Sequence, residues 1–380
     1  MAATISSAVI AASLTQPRHP ALAAPDRPCA VPDLVVPVPT SFSVGVIGDF
    51  GDFASTGRVA ATMAGWNPSF IVTVGDNGYN PDATSDGAGG FVWNGSLIDR
   101  SIGQWFSSYI GNYQGTYGGG PAPGRPSRFF PALGNHDWDG SPGGGVWANL
   151  PYRSYFTLPG NERYYTVRAG SVQFFVIDSE PRSPGNGSQY ETDGVSASST
   201  QALWLRDHLA DSDAPFKIVV FHHPAYTSAS RGNTTVMQWP FAEWGASLVL
   251  SGHEHFYERL TGPGGIPFVT TGHGGNTLTN AFPNSPFPAV SLVRVGDRFG
   301  AVRLDVGPTH LTLTAVGQPS SNPGAPFSTI DQTSVPIAPT LPRSPACAAV
   351  PPTTTPGGTG GGSSLVAAAT EGADRLGVVP

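Results

Sequence analysis

The feature that most constrains this sequence is a set of five short apolar segments, each followed at once by a turn rich in Asp, Asn or His. The turns read GDFG from Gly48, GDNGY from Gly75, GNHD from Gly134, HHP from His222 and SGHEH from Ser251. Nearly continuous apolar runs of this length suit strands that are buried on both faces. Ligands of α/β sheets gather at the carboxyl ends of such strands. The sequence therefore predicts an α/β protein with its chemistry on strand-end loops.

Hydrophobic periodicity predicts the order of the elements. Strands are expected at residues 41–47, 70–74, 129–133, 171–177, 217–221 and 246–250. Helical spacing of apolar residues covers 56–65, 97–110 and 200–209, with Ser199 or Thr200 as the predicted cap of the last helix. Later runs at 290–295, 300–306 and 311–316 alternate with period two and predict an antiparallel meander. Together these segments predict layered sheets with helices.

The two ends of the chain differ in composition from the middle. We expect the ordered domain at residues 41–317, a leader or linker at 1–40, and a disordered tail rich in Pro, Gly and Thr at 318–380. The leader has the apolar stretch and the Ala-Leu-Ala-Ala of a signal peptide but lacks a positively charged start.

The two cysteines, Cys29 and Cys347, lie in these flanking segments. They are either two unrelated thiols or a disulfide that joins the ends of the chain. A disulfide would suit an oxidising compartment. Because the chain also begins with a leader-like segment, we expect a secreted or cell-envelope protein.

The charge balance excludes some classes of function. The chain has 19 basic and 26 acidic residues, a formal net charge of -7, and a single lysine, Lys217. Nucleic-acid binding is not expected, because it needs a concentrated basic surface. No apolar run of about 18 residues occurs, so no membrane span is expected either. The 49 glycines and 38 prolines predict many loops, which commonly carry binding and catalytic residues.

Two of the Gly-Asp turns differ from ordinary turns. Asp49 and Asp76 each end a buried strand, where a carboxylate is costly unless it is paired or bound to a cation. Asp52 and Asp297 also follow glycine but are expected to be plain turn residues. The placement of the first pair predicts a nearby cation.

Histidines are concentrated on the same loops. Six of the nine follow a predicted strand, and the Gly-His-x-His turn is expected to aim His253 and His255 at neighbouring metals. A zinc-protease HExxH motif would need histidine at position 257, which is Tyr257, so that class is excluded. His273 lies in a glycine-rich segment, where it either reaches the substrate or, as we rather expect, lies at the surface.

The order of the five blocks, Gly-Asp-x-Gly, Gly-Asp-x-x-Tyr, Gly-Asn-His-Asp, Val-x-x-His and Gly-His-x-His, resembles the purple acid phosphatases. These enzymes are a branch of the calcineurin-like metallophosphoesterases. The resemblance implies a four-layer α/β/β/α metallophosphoesterase sandwich with a dinuclear metal centre, in a small single-domain form. It also implies metal ligands. Asp49, Tyr79 and His255 would hold Fe(III), Asn135, His222 and His253 would hold a divalent ion (Fe, Zn or Mn), and Asp76 would bridge the two.

The implied reaction is the hydrolysis of a small phosphate monoester by a metal-bound hydroxide, which is acid phosphatase activity. Two neighbouring cations can hold phosphate oxygens, acidify a bound water and stabilise the charge that develops on the attacking and leaving oxygens. A phenolate from Tyr79 would favour a trivalent metal. Two alternatives remain open: a phosphodiesterase or nucleotidase with the same centre, and a non-catalytic surface protein.

Two further histidines are predicted to be catalytic. His136 and His223 each follow a predicted ligand, and by resemblance His136 contacts the phosphate or protonates the leaving group. Asp137 is expected to orient His136. The alternative for both histidines is structural support of the metal site.

A long segment rich in Gly and Pro spans residues 80–128. Its arginines, Arg100, Arg125 and Arg128, either assist phosphate binding or face solvent. Long loops in compact domains are commonly lids or specificity loops.

Overall fold

The computed structural model describes residues 27–79, 98–122, 125–138, 151–180 and 191–349. The predicted leader up to residue 26, the tail from residue 350 and most of the first half of the 80–128 segment lie outside these residues.

The strands follow each other along the chain with helices between the early ones. They are β1 (Leu34–Val35), β2 (Phe42–Ile47), β3 (Phe70–Thr73), β4 (Phe129–Pro131), β5 (Tyr165–Ala169), β6 (Val172–Val176), β7 (Phe216–Val220), β8 (Leu248–Ser251), β9 (Tyr257–Thr261), β10 (Pro267–Thr271), β11 (Val290–Val295), β12 (Arg298–Val306), β13 (Leu311–Pro319) and β14 (Ser328–Ser334).

The helices are short, and two of them are long enough to form a layer. They are α1 (Ala54–Gly65), α2 (Asn135–Trp138), α3 (Pro151–Tyr155) and α4 (Thr200–Asp211). The helical segment expected at 97–110 is a π-helical turn (Asp99–Gly103), one α-helical turn (Gln104–Phe106) and a 3-10 turn (Ser107–Tyr109) in succession. Ser199 caps α4 as predicted, because its Oγ accepts a hydrogen bond from the Ala202 amide.

The strands form two sheets. The larger has eight strands in the order β1-β5-β6-β7-β8-β10-β9-β11, and the smaller has six in the order β14-β13-β12-β2-β3-β4. Neighbours β2, β3 and β4 are parallel, and so are β6, β7, β8 and β10. The parallel strands of both sheets are the ones whose ends carry the Asp, Asn and His turns.

Alternation along the strands explains why two sheets and two helical layers pack together. In β6, Phe174 contacts Phe70 of the other sheet at a ring-centroid distance of 5.6 Å, whereas its neighbour Phe175 belongs to the cluster beneath α4. In β2, Gly45 faces α1 so closely that a Cβ there would lie 2.7 Å from the Met63 side chain. The result is the four-layer α/β/β/α sandwich, with the main core between the sheets.

The folded region extends beyond both predicted boundaries. Strand β1 lies before residue 41, and β14 pairs with β13 although it lies in the segment predicted to be a disordered tail. That prediction was wrong up to residue 349, because strand pairing and burial of side chains such as Val335 fold a segment whose composition is poor in apolar residues. The predicted meander is also divided: β11 pairs with β9 in the larger sheet, and only β12 and β13 pair with each other.

The two ends of the described chain are joined. Cys29 and Cys347 form a disulfide. Beside it, the buried Asp211 carboxylate at the end of α4 accepts hydrogen bonds from the Arg27 guanidinium and from the amides of Ala30 and Ser344. Among the described residues, no helix is long and apolar enough to cross a membrane.

Candidate metal centre

The predicted ligands come together where the parallel strands of both sheets end. The smaller sheet contributes residues after β2, β3 and β4, and the larger sheet contributes residues after β7 and β8. Their donor atoms form two adjacent groups.

The first group surrounds the phenol of Tyr79. Its oxygen lies 3.2 Å from Asp49 Oδ1, 3.1 Å from Asp76 Oδ2 and 3.1 Å from His255 Nε2. His255 Nε2 in turn lies 3.4 Å from Asp49 Oδ1. Three oxygens and one nitrogen therefore converge on one small volume.

The second group surrounds the amide oxygen of Asn135. This Oδ1 lies 3.1 Å from His222 Nε2 and 3.0 Å from His253 Nδ1, and those two nitrogens are 3.2 Å apart. Asp76 Oδ1 lies 3.3 Å from His222 Nε2. The two oxygens of one buried carboxylate, Asp76, thus face the two groups.

Hydrogen bonds to the backbone orient two of the imidazoles. His222 Nδ1 lies 2.9 Å from the Val74 carbonyl, and His255 Nδ1 lies 2.7 Å from the Thr277 carbonyl. Since a carbonyl accepts, each Nδ1 carries a proton, and Nε2 is the ring nitrogen that faces the group and would bind a metal. Outer partners of this kind fix the tautomer of metal-ligating histidines.

The backbone at the site is unusual. Asp49, Asp76 and His253 have φ values of 53°, 49° and 67°, in the left-handed region that non-glycine residues seldom occupy. Such conformations persist where the surroundings impose them, and they cluster at functional sites. Glycines before the ligands allow close approach: a Cβ on Gly252 would lie 2.5 Å from Asp49 Oδ2, and one on Gly134 would lie 2.3 Å from Asp76 Oδ1.

Charges within the site perturb its pKa values. Burial opposes ionisation of Asp76, but the charges of His222 and His136 outweigh it and lower the pKa of this carboxyl. Burial, followed by the charges of Asp49 and Asp76, raises the pKa of the Tyr79 phenol well above its usual value. A bound cation would stabilise buried carboxylates that are grouped with neutral ligand atoms in this way.

The two predicted catalytic histidines differ in accessibility. The His136 side chain is 41% exposed, its Nε2 lies 4.0 Å from Asp76 Oδ2, and its ring lies 4.6 Å from the Tyr79 ring. The His223 side chain is 12% exposed, with Nδ1 3.0 Å from Ser179 Oγ and Nε2 3.4 Å from Glu180 Oε2. Its ring also packs against His253.

Asp137 has a different role from the one expected. Its carboxylate accepts hydrogen bonds from the Gly134 amide and from the amide and side chain of Asn77. It therefore braces the turns that follow β3 and β4. Burial, and then the charge of Asp76, raises the pKa of Asp137 to about 7.

For the remaining predicted residues, the contacts that the structure shows are made outside the two donor groups. Arg100 pairs with Asp52 at 2.7 Å, and Arg128 donates to the carbonyls of Ser69 and Ser108, at the end of β3 opposite the site. His273 is fully buried, so the expectation of a surface histidine was wrong.

Several neighbouring residues were missed by sequence reasoning. The Asn276 side chain hydrogen-bonds Tyr79, and the backbone amide of Asn276 donates to the Asp49 carbonyl. Arg231 pairs with Glu254, the buried residue between His253 and His255. Asn276 ends the glycine-rich segment after β10, which is the one signal in the sequence that marked it.

The comparison with known families agrees with this geometry. The family model described as calcineurin-like phosphoesterase matches residues 42–257, more than half of the chain and all seven predicted ligands. The chain belongs to the calcineurin-like phosphoesterase family. Members bind a metal centre, and the Asp and His groups described above could hold metal ions here.

Curated relatives include acid phosphatases at low identity. The chain is 24% identical to purple acid phosphatase 23 of Arabidopsis thaliana over 61% of its own length and 52% of that protein. It is 23% identical to tartrate-resistant acid phosphatase type 5 of Mus musculus over 63% of its length and 73% of that protein. It thus spans about half the length of the plant relative.

Solved structures share the fold. A purple acid phosphatase from yellow lupin (Lupinus luteus) superposes with a TM-score of 0.51 and 16% identity, covering 84% of this chain and 56% of that one. GAP50 of Plasmodium, described as the anchor in the inner membrane complex, superposes with a TM-score of 0.54 and 16% identity, covering 81% of this chain and 93% of that one. Because this fold also occurs in a protein described as an anchor, function has to be argued from the site.

Proposed function

We propose that this protein is a dinuclear metal-dependent acid phosphatase that hydrolyses small phosphate monoesters. The observation that carries the proposal is the position of Asp76, whose two oxygens face two separate groups of donor atoms. A single buried carboxylate between two such groups is the arrangement that a bridging ligand requires. The acid phosphatases among the relatives support the reaction class.

The chemistry of each donor group suggests its metal. Asp49, Tyr79 and His255 include two anionic oxygens, which suit Fe(III), whereas Asn135, His222 and His253 offer a neutral amide and two imidazoles, which suit divalent Fe, Zn or Mn. Two cations held there would acidify water and offset the negative charge of the phosphate.

The side chains around the two groups would bind the substrate and move a proton. His136 is the better placed of the two histidines to reach a substrate, because it is the more exposed and lies above Tyr79 and Asp76. We assign it to the phosphate and the leaving oxygen, to which an imidazolium donates a proton. We assign His223 to positioning, since its ring is enclosed by Ser179, Glu180 and His253.

The deciding experiment joins metal analysis to activity. The purified wild type, Asp76→Asn and, as a control, Asp297→Asn on the surface are loaded with iron and zinc and assayed on a monoester and a diester from pH 4 to 8. The wild type and the control should hold two metals per chain and cleave the monoester faster. Asp76→Asn should lose both metals and activity.

Other outcomes identify the alternatives. Faster cleavage of the diester would replace the proposed specificity with that of a phosphodiesterase. Two bound metals without hydrolysis of either ester would favour a non-catalytic role.

We also propose that the protein works outside the cytosol. The support is the disulfide between Cys29 and Cys347, since such bonds persist in oxidising compartments.

A further inference from the structure

One arginine stands beside the metal centre without a part in the function proposed above. Arg231 Nη1 lies 3.3 Å from the carbonyl oxygen of His253 and 3.3 Å from Glu254 Oε2. Its side chain is 53% exposed, whereas that of Glu254 is 1% exposed. The guanidinium is therefore anchored through Nη1 to the loop that carries two of the predicted ligands, and about half of the side chain is exposed to solvent.

The position of Arg231 follows from its two contacts. Because its Nη1 reaches the His253 carbonyl and the Glu254 carboxylate, Arg231 lies beside the turn that brings His253 to the second donor group.

The loop that carries Arg231 is held firmly. The Asn284 side chain donates to the carbonyls of Ala229 and Ser230, and the backbone amide of Asn284 donates to the Ser228 carbonyl. Glu258, which is buried, accepts hydrogen bonds from the Ser228 amide and hydroxyl. A guanidinium on such a loop is positioned before a ligand arrives, which lowers the entropic cost of binding.

We propose that Arg231 is a specificity residue that binds a second anionic group on the substrate, a carboxylate or another phosphate, outside the reacting phosphate. The inference rests on the proposed phosphatase function and deepens it. Arginine suits this role because its planar fork binds carboxylate and phosphate oxygens in pairs. Glu254 and the His253 carbonyl contact only Nη1, so the other guanidinium nitrogens are left for the ligand. The exposure of the Arg231 side chain makes them accessible from solvent. The preferred substrates are therefore phosphate monoesters with a further negative charge near the ester.

The test compares two alkyl phosphates that differ by one charged group. Glycerol 3-phosphate and 3-phosphoglycerate share the same phosphate ester. The first has a hydroxymethyl group at the position where the second has a carboxylate. Steady-state kinetics are measured for the metal-loaded wild type, Arg231→Gln, Arg231→Lys and a control, Arg206→Gln, which removes a charge on the remote helix α4.

In the wild type, 3-phosphoglycerate should have the lower KM. Arg231→Gln should raise its KM about tenfold relative to that of glycerol 3-phosphate, as expected for one charge-assisted hydrogen bond at an exposed site. Arg231→Lys should restore part of the difference, and Arg206→Gln should leave the ratio unchanged. An unchanged ratio in Arg231→Gln, or an equal rise for both esters, overturns the proposal.

Two measurements separate this inference from the fold and from the reaction. Arg231→Gln combined with Glu254→Gln removes both charges of the ion pair, so that Glu254 is not left buried without a partner, and it should show the same KM ratio as Arg231→Gln if the loss is one of binding. If the metal-loaded wild type hydrolyses neither ester, the phosphatase function fails. Calorimetric binding of the two esters then tests Arg231 directly: selective weakening of 3-phosphoglycerate supports the role, and equal binding refutes it.

Discussion

Tyr79 is the predicted ligand whose chemistry bears most directly on the type of metal proposed for this site. Its oxygen lies within 3.2 Å of donor atoms from Asp49, Asp76 and His255, so a cation bound by these residues would also contact the phenol. Most metals do not need such a ligand. A phenolate is a hard anionic donor, and it favours a trivalent ion.

Replacing Tyr79 gives a direct test of this assignment. The iron-loaded wild type should absorb visible light through charge transfer from phenolate to Fe(III), and Tyr79→Phe should lose that band while keeping its fold. Visible spectra and circular dichroism of the two proteins are the measurements. A band of equal strength in Tyr79→Phe would refute the ligand role.

The glycine before His253 is a second residue with a measurable function. A Cβ at Gly252 would lie 2.5 Å from Asp49 Oδ2 and 2.8 Å from the Val74 carbonyl. We expect Gly252→Ala to push the Asp49 carboxylate from its place, to reduce turnover at least tenfold and to cost about 1–3 kcal/mol of unfolding free energy.

Gly119→Ala is the matched control for that change. A Cβ at Gly119 would meet no heavy atom within 4 Å, so its activity and stability should stay near those of the wild type. Equal activity of the two variants would show that the close approach at Gly252 does not matter.

At the scale of elements, the loop after β10 joins the two sheets. Gly274 donates to the Gly48 carbonyl of one turn, and Gly300 in β12 donates to the His273 carbonyl. The His273 ring is fully buried, and its centroid lies 5.7 Å from that of Tyr257 in β9. It packs so closely on Gly300 that a Cβ added there would lie 2.7 Å from its Nε2. His273 is therefore a packing residue where the sheets meet.

Burial of His273 predicts a dependence of stability on pH. Burial lowers the pKa of His273 to about 4 from the usual 6.5, so between these values the unfolded chain binds more protons than the folded one. Its contribution is complete above pH 6.5 and is lost as the pH falls toward 4, by roughly 3 kcal/mol at 1.36 kcal/mol per pKa unit. His273→Gln does not titrate and should lose less stability over this interval.

Urea unfolding of the wild type and His273→Gln at pH 7 and pH 4.5 measures that difference. Other groups titrate equally in both proteins, so the quantity compared is the change in unfolding free energy between pH 7 and pH 4.5 in each protein. The same loss of stability in both would exclude His273 as its source.

At the scale of the whole molecule, the covalent link between Cys29 and Cys347 closes a loop over 318 positions. A crosslink over so long a loop restricts the unfolded chain, and the chain-entropy account gives about 6 kcal/mol as an upper value. The hydrogen bonds of Asp211 to Arg27, Ala30 and Ser344 hold the same two ends to α4.

Removing the disulfide should therefore lower the stability of the entire fold. The double variant Cys29→Ser/Cys347→Ser should melt several degrees below the wild type, and a reductant should lower the melting temperature of the wild type but not of the variant. Calorimetry with and without reductant measures this. No effect of the reductant on the wild type would mean that the link contributes nothing.

The sequence by itself determined the parts that depend on local pattern. Apolar runs marked β2, β3, β4, β6, β7 and β8 to within about two residues, and the turns after them carried the residues of both donor groups. Buried strands need continuous apolar residues, and turns that approach a carboxylate closely need glycine. Both requirements can therefore be recognised in the amino-acid sequence.

Only the tertiary structure decided how those turns meet. It placed β11 in one sheet and β12 in the other, added β14 from a segment of loop-like composition, buried His273 and set Arg231 beside the centre. Pairing between strands and contacts between loops distant in sequence are set by packing of the whole chain, which no short stretch of residues encodes. The resemblance implied that Asp76 bridges two groups, but the contacts that place it there come from residues between Asp49 and His255 that only the folded chain brings together.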